Sequence, residues 1–297
     1  MIFMKNSRFF CRIFFKIVFL SCIFCFFGCK VDEDSFWGGE TNVNTRFSKI
    51  KNLSEEDSSV KALSETGGKY QIILFTDVHK GAGFYKSGVD EKFFAWLSEA
   101  DFSKIKFALA LGDFADSGKR SEMKAYAEFY SKIEEKGIKV FNVIGNHDLY
   151  SSDGYDAFSD YCYPYTSSYK FYTKNFVWYA LDSGSGTLGS KQLKSLETEI
   201  ALESKTPLVF THVPLQSGID DFELRFSLRD LTERNILIKL FSENKVLCYF
   251  CGHYHPGGRK TYGNFTQYNF KSFGEFGKWY LIDVDEDAPS VTVSELG

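Results

Sequence analysis

A chain of 297 residues, 44% hydrophobic and 18% aromatic, can bury one large core, and its length permits one domain or two. Its formal net charge is -4; Lys5, Arg8, Arg12 and Lys16 fall in a segment that reads as removable, so the remainder would carry -4 - 4 = -8. That balance speaks against a nucleic-acid-binding surface, which needs a basic face.

The N-terminus comes first. Met1 to Arg12 is basic without an acid, and Ile17 to Phe27 is apolar apart from Ser21, the pattern of an export signal. Those eleven apolar-rich residues are too few to span a bilayer, which needs about 20. The segment ends Phe26-Phe27-Gly28-Cys29, which resembles the cleavage box of bacterial lipoproteins, with Phe26 where Leu is usual. An uncleaved anchor is the alternative. Residues 1–28 are therefore expected to be a signal peptide and Cys29 the lipidated residue, with several acyl chains tethering an exported protein to a membrane. It would sit on the periplasmic or cell-surface side. Residues 29–68 are polar and without clear period, and read as a flexible tether, although Phe36-Trp37 and Phe47 could dock instead. The folded domain is expected over 69–297.

Of seven cysteines, Cys11, Cys22, Cys25 and Cys29 belong to the leader, so 7 - 4 leaves Cys162, Cys248 and Cys251, an odd number and no disulfide framework. Cys248 and Cys251 stand three apart on an expected strand and so face opposite ways, which suits two buried apolar residues better than a redox or zinc pair.

Along the body, Ile72 to Thr76 reads as a buried strand that runs into Asp77-Val78-His79. A helix is expected from about Asp90 to Ala100. The strand Phe107 to Leu111 then ends in Gly112-Asp113-Phe114-Ala115-Asp116. Glu122 to Lys136 is a helical pattern closed by Gly137, and Val140 to Ile144 is a strand that stops at Gly145-Asn146-His147-Asp148. This alternation predicts a largely parallel sheet with helices outside. Tyr150 to Tyr172 reads as a loop packed over the core, Phe171 to Leu181 as a strand pair, and Lys191 to Glu203 as a helix. The strand beginning at Pro207 runs into His212. A helix is expected over Asp230 to Ser242, and the strand Val246 to Cys251 runs into Gly252-His253-Tyr254-His255. Short strands with turns follow, over Asn264 to Val293, as a second sheet edge.

All five histidines of the chain, His79, His147, His212, His253 and His255, fall in these loops. Histidines in purely structural roles would be scattered. Asp, Asn and His at the carboxyl ends of strands occupy the place where open α/β sheets keep their chemistry. They are also the types that hold two divalent cations roughly 3.5 to 4 Å apart about a shared carboxylate.

Together, Asp77-x-His79, Gly112-Asp113-x-x-Asp116, Gly145-Asn146-His147-Asp148, His212 and Gly252-His253-x-His255 resemble the signature of the calcineurin-like metallophosphoesterases, from about Tyr70 to the C-terminus. The resemblance implies a four-layer α/β/β/α sandwich of two mixed sheets. It also implies one metal held by Asp77, His79, Asp113 and His255, and a second, bridged by Asp113, on Asn146, His212 and His253. The metals could be Mn, Fe, Zn or Co. A hydroxide activated by the pair would hydrolyse a phosphomonoester or phosphodiester. His147 would be catalytic as the acid on the leaving oxygen, with Asp148 orienting its ring. Members with a purple iron site carry Tyr where Asp116 stands, and cyclic-nucleotide phosphodiesterases carry Arg where Leu149-Tyr150 stands, so neither subclass is implied. Lys80, Arg259 and Lys260 read as solvated charges rather than phosphate ligands. The expectation is thus a monomeric, membrane-tethered phosphohydrolase acting on a small or lipid-linked phosphoester. The competing reading is a catalytically silent surface lipoprotein that uses the same fold to bind a partner, and hydrolysis of another bond with the same metals is a third.

Overall fold

The computed structural model describes residues 42–218 and 221–297. The expected signal peptide and Cys29 lie outside them.

Strand alternation builds the layers. In Lys69–Phe75 (β2, following the two-residue β1, Lys51–Asn52), Ile72 and Leu74 enter one apolar layer while Ile73 and Phe75 enter another. Period-two side chains thus serve both faces of a buried strand. β2 pairs in parallel with Ile105–Ala110 (β3), which pairs in parallel with Lys139–Asn142 (β4). The expected parallel sheet is these three strands.

A second sheet is built from Tyr169–Tyr172 (β5), Phe176–Ala180 (β6), Thr206–Phe210 (β7), Cys248–Cys251 (β8), Gly258–Tyr262 (β9) and Phe265–Asn269 (β10). With β1 it has seven strands in the order β1-β5-β6-β7-β8-β10-β9. Trp279–Asp285 (β11) and Ser290–Leu296 (β12) return to the first sheet as an antiparallel edge, giving the order β12-β11-β2-β3-β4. The expected terminal strands therefore divide between the two sheets.

Between the sheets lies an aromatic core around Phe107, Phe141, Phe171 and Trp178. Outside the five-stranded sheet pack Val89–Glu99 (α1), Arg120–Glu134 (α2) and Gly154–Tyr161 (α3). Outside the seven-stranded sheet pack Gly189–Ala201 (α4) and Leu231–Glu243 (α5). The expected four-layer α/β/β/α sandwich of two mixed sheets is the observed fold. In α2 the inward residues Met123, Tyr126, Phe129, Tyr130 and Ile133 recur at helical spacing, and Gly137, at φ 80°, ends the run. α5 begins at Asp230, whose carboxylate accepts the Thr232 and Glu233 N–H groups.

Cys162, Cys248 and Cys251 are free and buried. As the alternation required, Cys248 faces the space between the sheets and Cys251 the opposite layer. Among the described residues, no helix is long and apolar enough to cross a membrane.

Two expectations change. The segment from Asn42, read as tether up to Gly68, is packed onto the domain: Val43, Phe47, Ile50, Leu53 and Val60 are buried, and β1 pairs in parallel with β5. A few well-spaced apolar residues suffice when a neighbouring surface is there to receive them. The segment read as loop from Tyr150 to Tyr172 contains α3, which buries Ala157 and Phe158 against the helical layer of the first sheet.

Candidate metal centre

The ends of β2, β3 and β4 deliver Asp77, His79, Asp113, Asn146, His147 and Asp148, and the ends of β7 and β8 deliver His212, His253 and His255. The centre therefore draws on both sheets. Asp77, His79, Asp113 and His253 have positive φ, 52°, 51°, 54° and 69°, in a region that L residues rarely adopt. Clustered strain of this kind persists where surrounding contacts over-determine the loop. Glycine precedes Asn146 and His253 for a steric reason: a Cβ on Gly145 would run into Asp113, and one on Gly252 into Thr76 and Asp77.

Two groups of acceptor atoms converge. In one, His79 Nε2 lies 3.1 Å from His255 Nε2, 3.7 Å from Asp113 Oδ2 and 3.9 Å from Asp77 Oδ1. In the other, His212 Nε2 lies 3.1 Å from Asp113 Oδ2 and 3.1 Å from Asn146 Oδ1, with the His253 ring 5.1 Å away between centroids. Asp113 Oδ2 belongs to both groups.

Neighbouring bonds set the ring tautomers. His212 Nδ1 donates to the Leu111 carbonyl at 2.7 Å, and His255 Nδ1 is bonded to Glu275 Oε2 at 2.6 Å. With Nδ1–H committed, each Nε2 turns a lone pair toward acceptor oxygens or toward another ring nitrogen. Asn146 Nδ2 donates to the Tyr150 hydroxyl at 3.1 Å, which turns Oδ1 toward His212. Lone pairs facing lone pairs require positive charge between them, from protons or from cations, so the donor set fits divalent metals.

The electrostatics agree. Burial opposes a charge on His212, yet the Asp113 carboxylate outweighs it and lifts the ring to about 9. His255 is likewise lifted to about 9 against its burial, by Asp77 and Glu275. Burial and the charge on His212 push His253 down to about 4, and burial lowers His79. Asp77 and Asp113 stay below the ordinary carboxylate range despite complete burial, held there by His255 and His212 respectively.

Three sets of side chains bring ligand atoms within 4.8 Å of one another: Asp77, His79 and His255; His79, Asp116 and His147; and Asp113, His212 and His253. Among the described residues, these gather all five histidines in one place. The half-buried His147 donates from Nδ1 to the Asp116 carbonyl at 2.7 Å, which leaves its Nε2 open.

Asp148 does not orient the His147 ring. Its oxygens instead accept N–H groups of Asp113 (3.1 Å), Phe114 (2.8 Å), Ala115 (2.9 Å) and Gly145 (2.9 Å). Full burial beside these donors fixes its direction, and the Asp116 carbonyl serves His147 instead. Lys80 is not a solvated charge either: its ammonium reaches Asp90 and the Tyr85 hydroxyl at 2.7 and 2.6 Å, with the side chain 12% exposed. Arg259 is exposed over the Tyr268 ring, and Lys260 donates to Gln216. Glu275 escaped the sequence reading. Ser272-x-x-Glu275 signals a helix start, and the Ser272 hydroxyl does accept the Glu275 N–H, but the contact with His255 has no local signature. A surface cavity of about 450 Å³ lies at the other end of β2, lined by Lys69, Gln71, Lys104 and Asp283, and shares no residue with the centre.

Two mixed sheets with Asp, Asn and His converging at their shared end define a protein with a candidate metal centre. The chain belongs to the calcineurin-like phosphoesterase family, whose model matches residues 70–257. A protein of Fibrobacter succinogenes named a probable cyclic nucleotide phosphodiesterase is 25% identical over 169 residues, which cover 56% of this chain and 64% of that one. The solved purple acid phosphatase from yellow lupin (Lupinus luteus) seeds is 12% identical, with a TM-score of 0.54 over 77% of this chain and 54% of that one. GAP50, the anchor in the inner membrane complex of Plasmodium, is 14% identical, with a TM-score of 0.50 over 77% of this chain and 89% of that one. These structural likenesses speak for the fold alone.

Proposed function

We propose that the chain hydrolyses phosphoesters with two divalent cations, one held by Asp77, His79, Asp113 and His255 and the other by Asp113, Asn146, His212 and His253. The observation that carries this reading is Asp113 Oδ2, 3.1 Å from His212 Nε2 and 3.7 Å from His79 Nε2, a single buried oxygen common to both donor groups. Cations at such a site supply Lewis acidity, which makes water a nucleophile near neutral pH and offsets phosphoryl charge. The protein's own part is to fix these donors before substrate arrives. His147, with Nδ1–H bonded to the Asp116 carbonyl, would as the imidazolium offer its Nε2–H proton to the leaving oxygen and be left as the neutral Nδ1–H tautomer.

The Fibrobacter relative's name supports including cyclic phosphodiesters among the substrates to be tried. Leu149-Tyr150, where such enzymes carry Arg, supports trying linear esters as well. The N-terminal pattern supports export and a lipid anchor at Cys29; loss of fatty-acid labelling in Cys29→Ala would bear this out, and unchanged labelling would remove the anchor from the proposal.

The deciding experiment measures hydrolysis of a nitrophenyl phosphomonoester and a bis-nitrophenyl diester after chelation and after return of Mn, Zn, Fe or Co, in wild type and Asp113→Asn. Metal-dependent turnover that Asp113→Asn lowers by at least a hundredfold, with metal content reduced, is expected. Metal bound without turnover of either ester would point to a narrow natural substrate, no metal bound would favour the silent lipoprotein, and unchanged metal content in Asp113→Asn would remove the bridge.

A further inference from the structure

Four rings from the loops after β2 and β4 make successive contacts beside the centre. Phe84 lies 5.2 Å from His79 between centroids, His79 lies 4.6 Å from His147, and His147 lies 4.3 Å from Tyr150. The inner two are buried or half-buried; the outer two are open to solvent, Phe84 by 45% and Tyr150 by 61%. The other large apolar side chains left exposed among the described residues are Tyr165, Leu202 and Leu231. Two exposed aromatics on separate loops thus share a feature, contact with the His79–His147 pair.

We propose that Phe84 and Tyr150 clamp a flat ring carried by the leaving group, so that the preferred substrates are phosphoesters of ring-bearing alcohols, nucleosides or aryl alcohols, rather than of plain polyols. The inference rests on the hydrolase reading, in which His147 protonates the leaving oxygen. The departing alcohol must then lie over His147, beside Tyr150 and on the side of the histidine pair that Phe84 borders. Aromatic pairs attract in offset or edge-on arrangements at centroid separations of roughly 4.5–7 Å, which either ring can offer an incoming partner from its open face. Aromatic rings left open beside a cluster of Asp and His would be covered by a flat ring bound there. Charge argues the same way. Lys80, adjacent in sequence to His79, is turned into its pair with Asp90 and Tyr85, so this side offers that cation to no additional anionic group on the leaving alcohol.

The test compares leaving groups of equal chemistry with and without a ring: adenosine 5'-monophosphate against ribose 5-phosphate, and benzyl phosphate against propyl phosphate, on metal-loaded full chain. The expected result is kcat/KM about tenfold higher for the ring-bearing member, the size of one stacking contact, with that ratio collapsing in Phe84→Ala and Tyr150→Ala and surviving in Tyr150→Phe. Preference within the nucleoside pair alone, or the benzyl pair alone, supports the clamp and names its ring. Parity in both pairs, or a ratio indifferent to both alanine variants, overturns it. If none of the four monoesters turns over, the bis-nitrophenyl diester decides the hydrolase reading, which has failed if that ester too stays intact. Calorimetric affinities of adenosine 5'-monophosphate and ribose 5-phosphate for the metal-loaded protein then still decide the clamp: about tenfold tighter binding of the nucleotide, lost in Phe84→Ala, supports it, and equal affinity overturns it.

Discussion

Asp148 turns both oxygens to four backbone N–H groups that belong to the loops after β3 and β4. An amide there would set its own NH2 against two of those donors and leave them buried without an acceptor. Asp148→Asn is therefore expected to cost about 2–4 kcal/mol of stability and to weaken metal binding, because Asp113 and Asn146 ride on those loops. Urea unfolding and metal content of the variant check this. A fully stable, metal-replete Asp148→Asn that loses rate only on esters with poor leaving groups would restore the ring-orienting role. His147→Ala is the contrasting case. It should keep its metal and stability and lose at least about a hundredfold in rate on alkyl esters, with little loss on nitrophenyl esters, whose leaving groups need no acid. Equal losses on both would remove the acid. The spacing of Gly145-Asn146-His147-Asp148 made all of these residues legible as site residues. Which atoms each one holds was not legible, since Asp148 meets residues about 35 positions earlier and His255 meets Glu275 twenty positions later.

The segment from Val43 to Glu65 shows what composition conceals. Its apolar residues are too sparse to announce a core, yet Val43, Phe47, Ile50, Leu53 and Val60 find a ready-made surface, and two charged contacts lock the segment to it. Arg46 grips Asp182 through Nε and Nη2, both at 2.9 Å, with the two side chains 1% and 0% exposed. Arg46→Ala strands the Asp182 carboxylate in a dry site, and about 3–5 kcal/mol of destabilisation by urea unfolding is expected. A loss below about 1 kcal/mol would mean that water reaches Asp182. Asp57 accepts from Lys139 Nζ and the Tyr163 hydroxyl, both at 2.7 Å, and these contacts with Ser59 outweigh burial and hold its carboxyl well below the ordinary range. A depressed folded-state pKa adds stability above the unfolded value near pH 4 and loses it as pH falls through the folded value. Wild type should therefore exceed Asp57→Asn in stability by about 1 kcal/mol at pH 7 and lose that advantage progressively below about pH 4. A difference that persists unchanged at pH 2 would put the effect in packing rather than charge.

The two sheets are joined through their apolar interlayer and, at one end, through the centre: Asp77, His79, Asp113 and Asn146 come from the five-stranded sheet, and His212, His253 and His255 from the seven-stranded one. The parallel strands of the first sheet were legible because each is a short apolar run ended by Gly or a polar cluster, whereas the two-sheet sandwich was legible only through the family resemblance of the loops between them. The division of the last strands between the sheets was not, since β10 and β11 carry similar alternation and only tertiary pairing separates them. A cation held across the two sheets binds the folded chain and finds no assembled donor set in the unfolded one. Free metal at about 100 times its dissociation constant would add about 2.7 kcal/mol per site, which for a domain of this size raises the melting temperature by roughly 5–11 °C. The rise should grow with metal concentration, disappear on chelation, and shrink in Asp113→Asn, which weakens both donor groups at once. His212→Ala, confined to the second group, should lose part of the rise and keep the rest. A melting temperature indifferent to every metal tried would mean that the sheets hold their strained loops without a cation, and the convergent lone pairs would then be neutralised by the protons on His212 and His255.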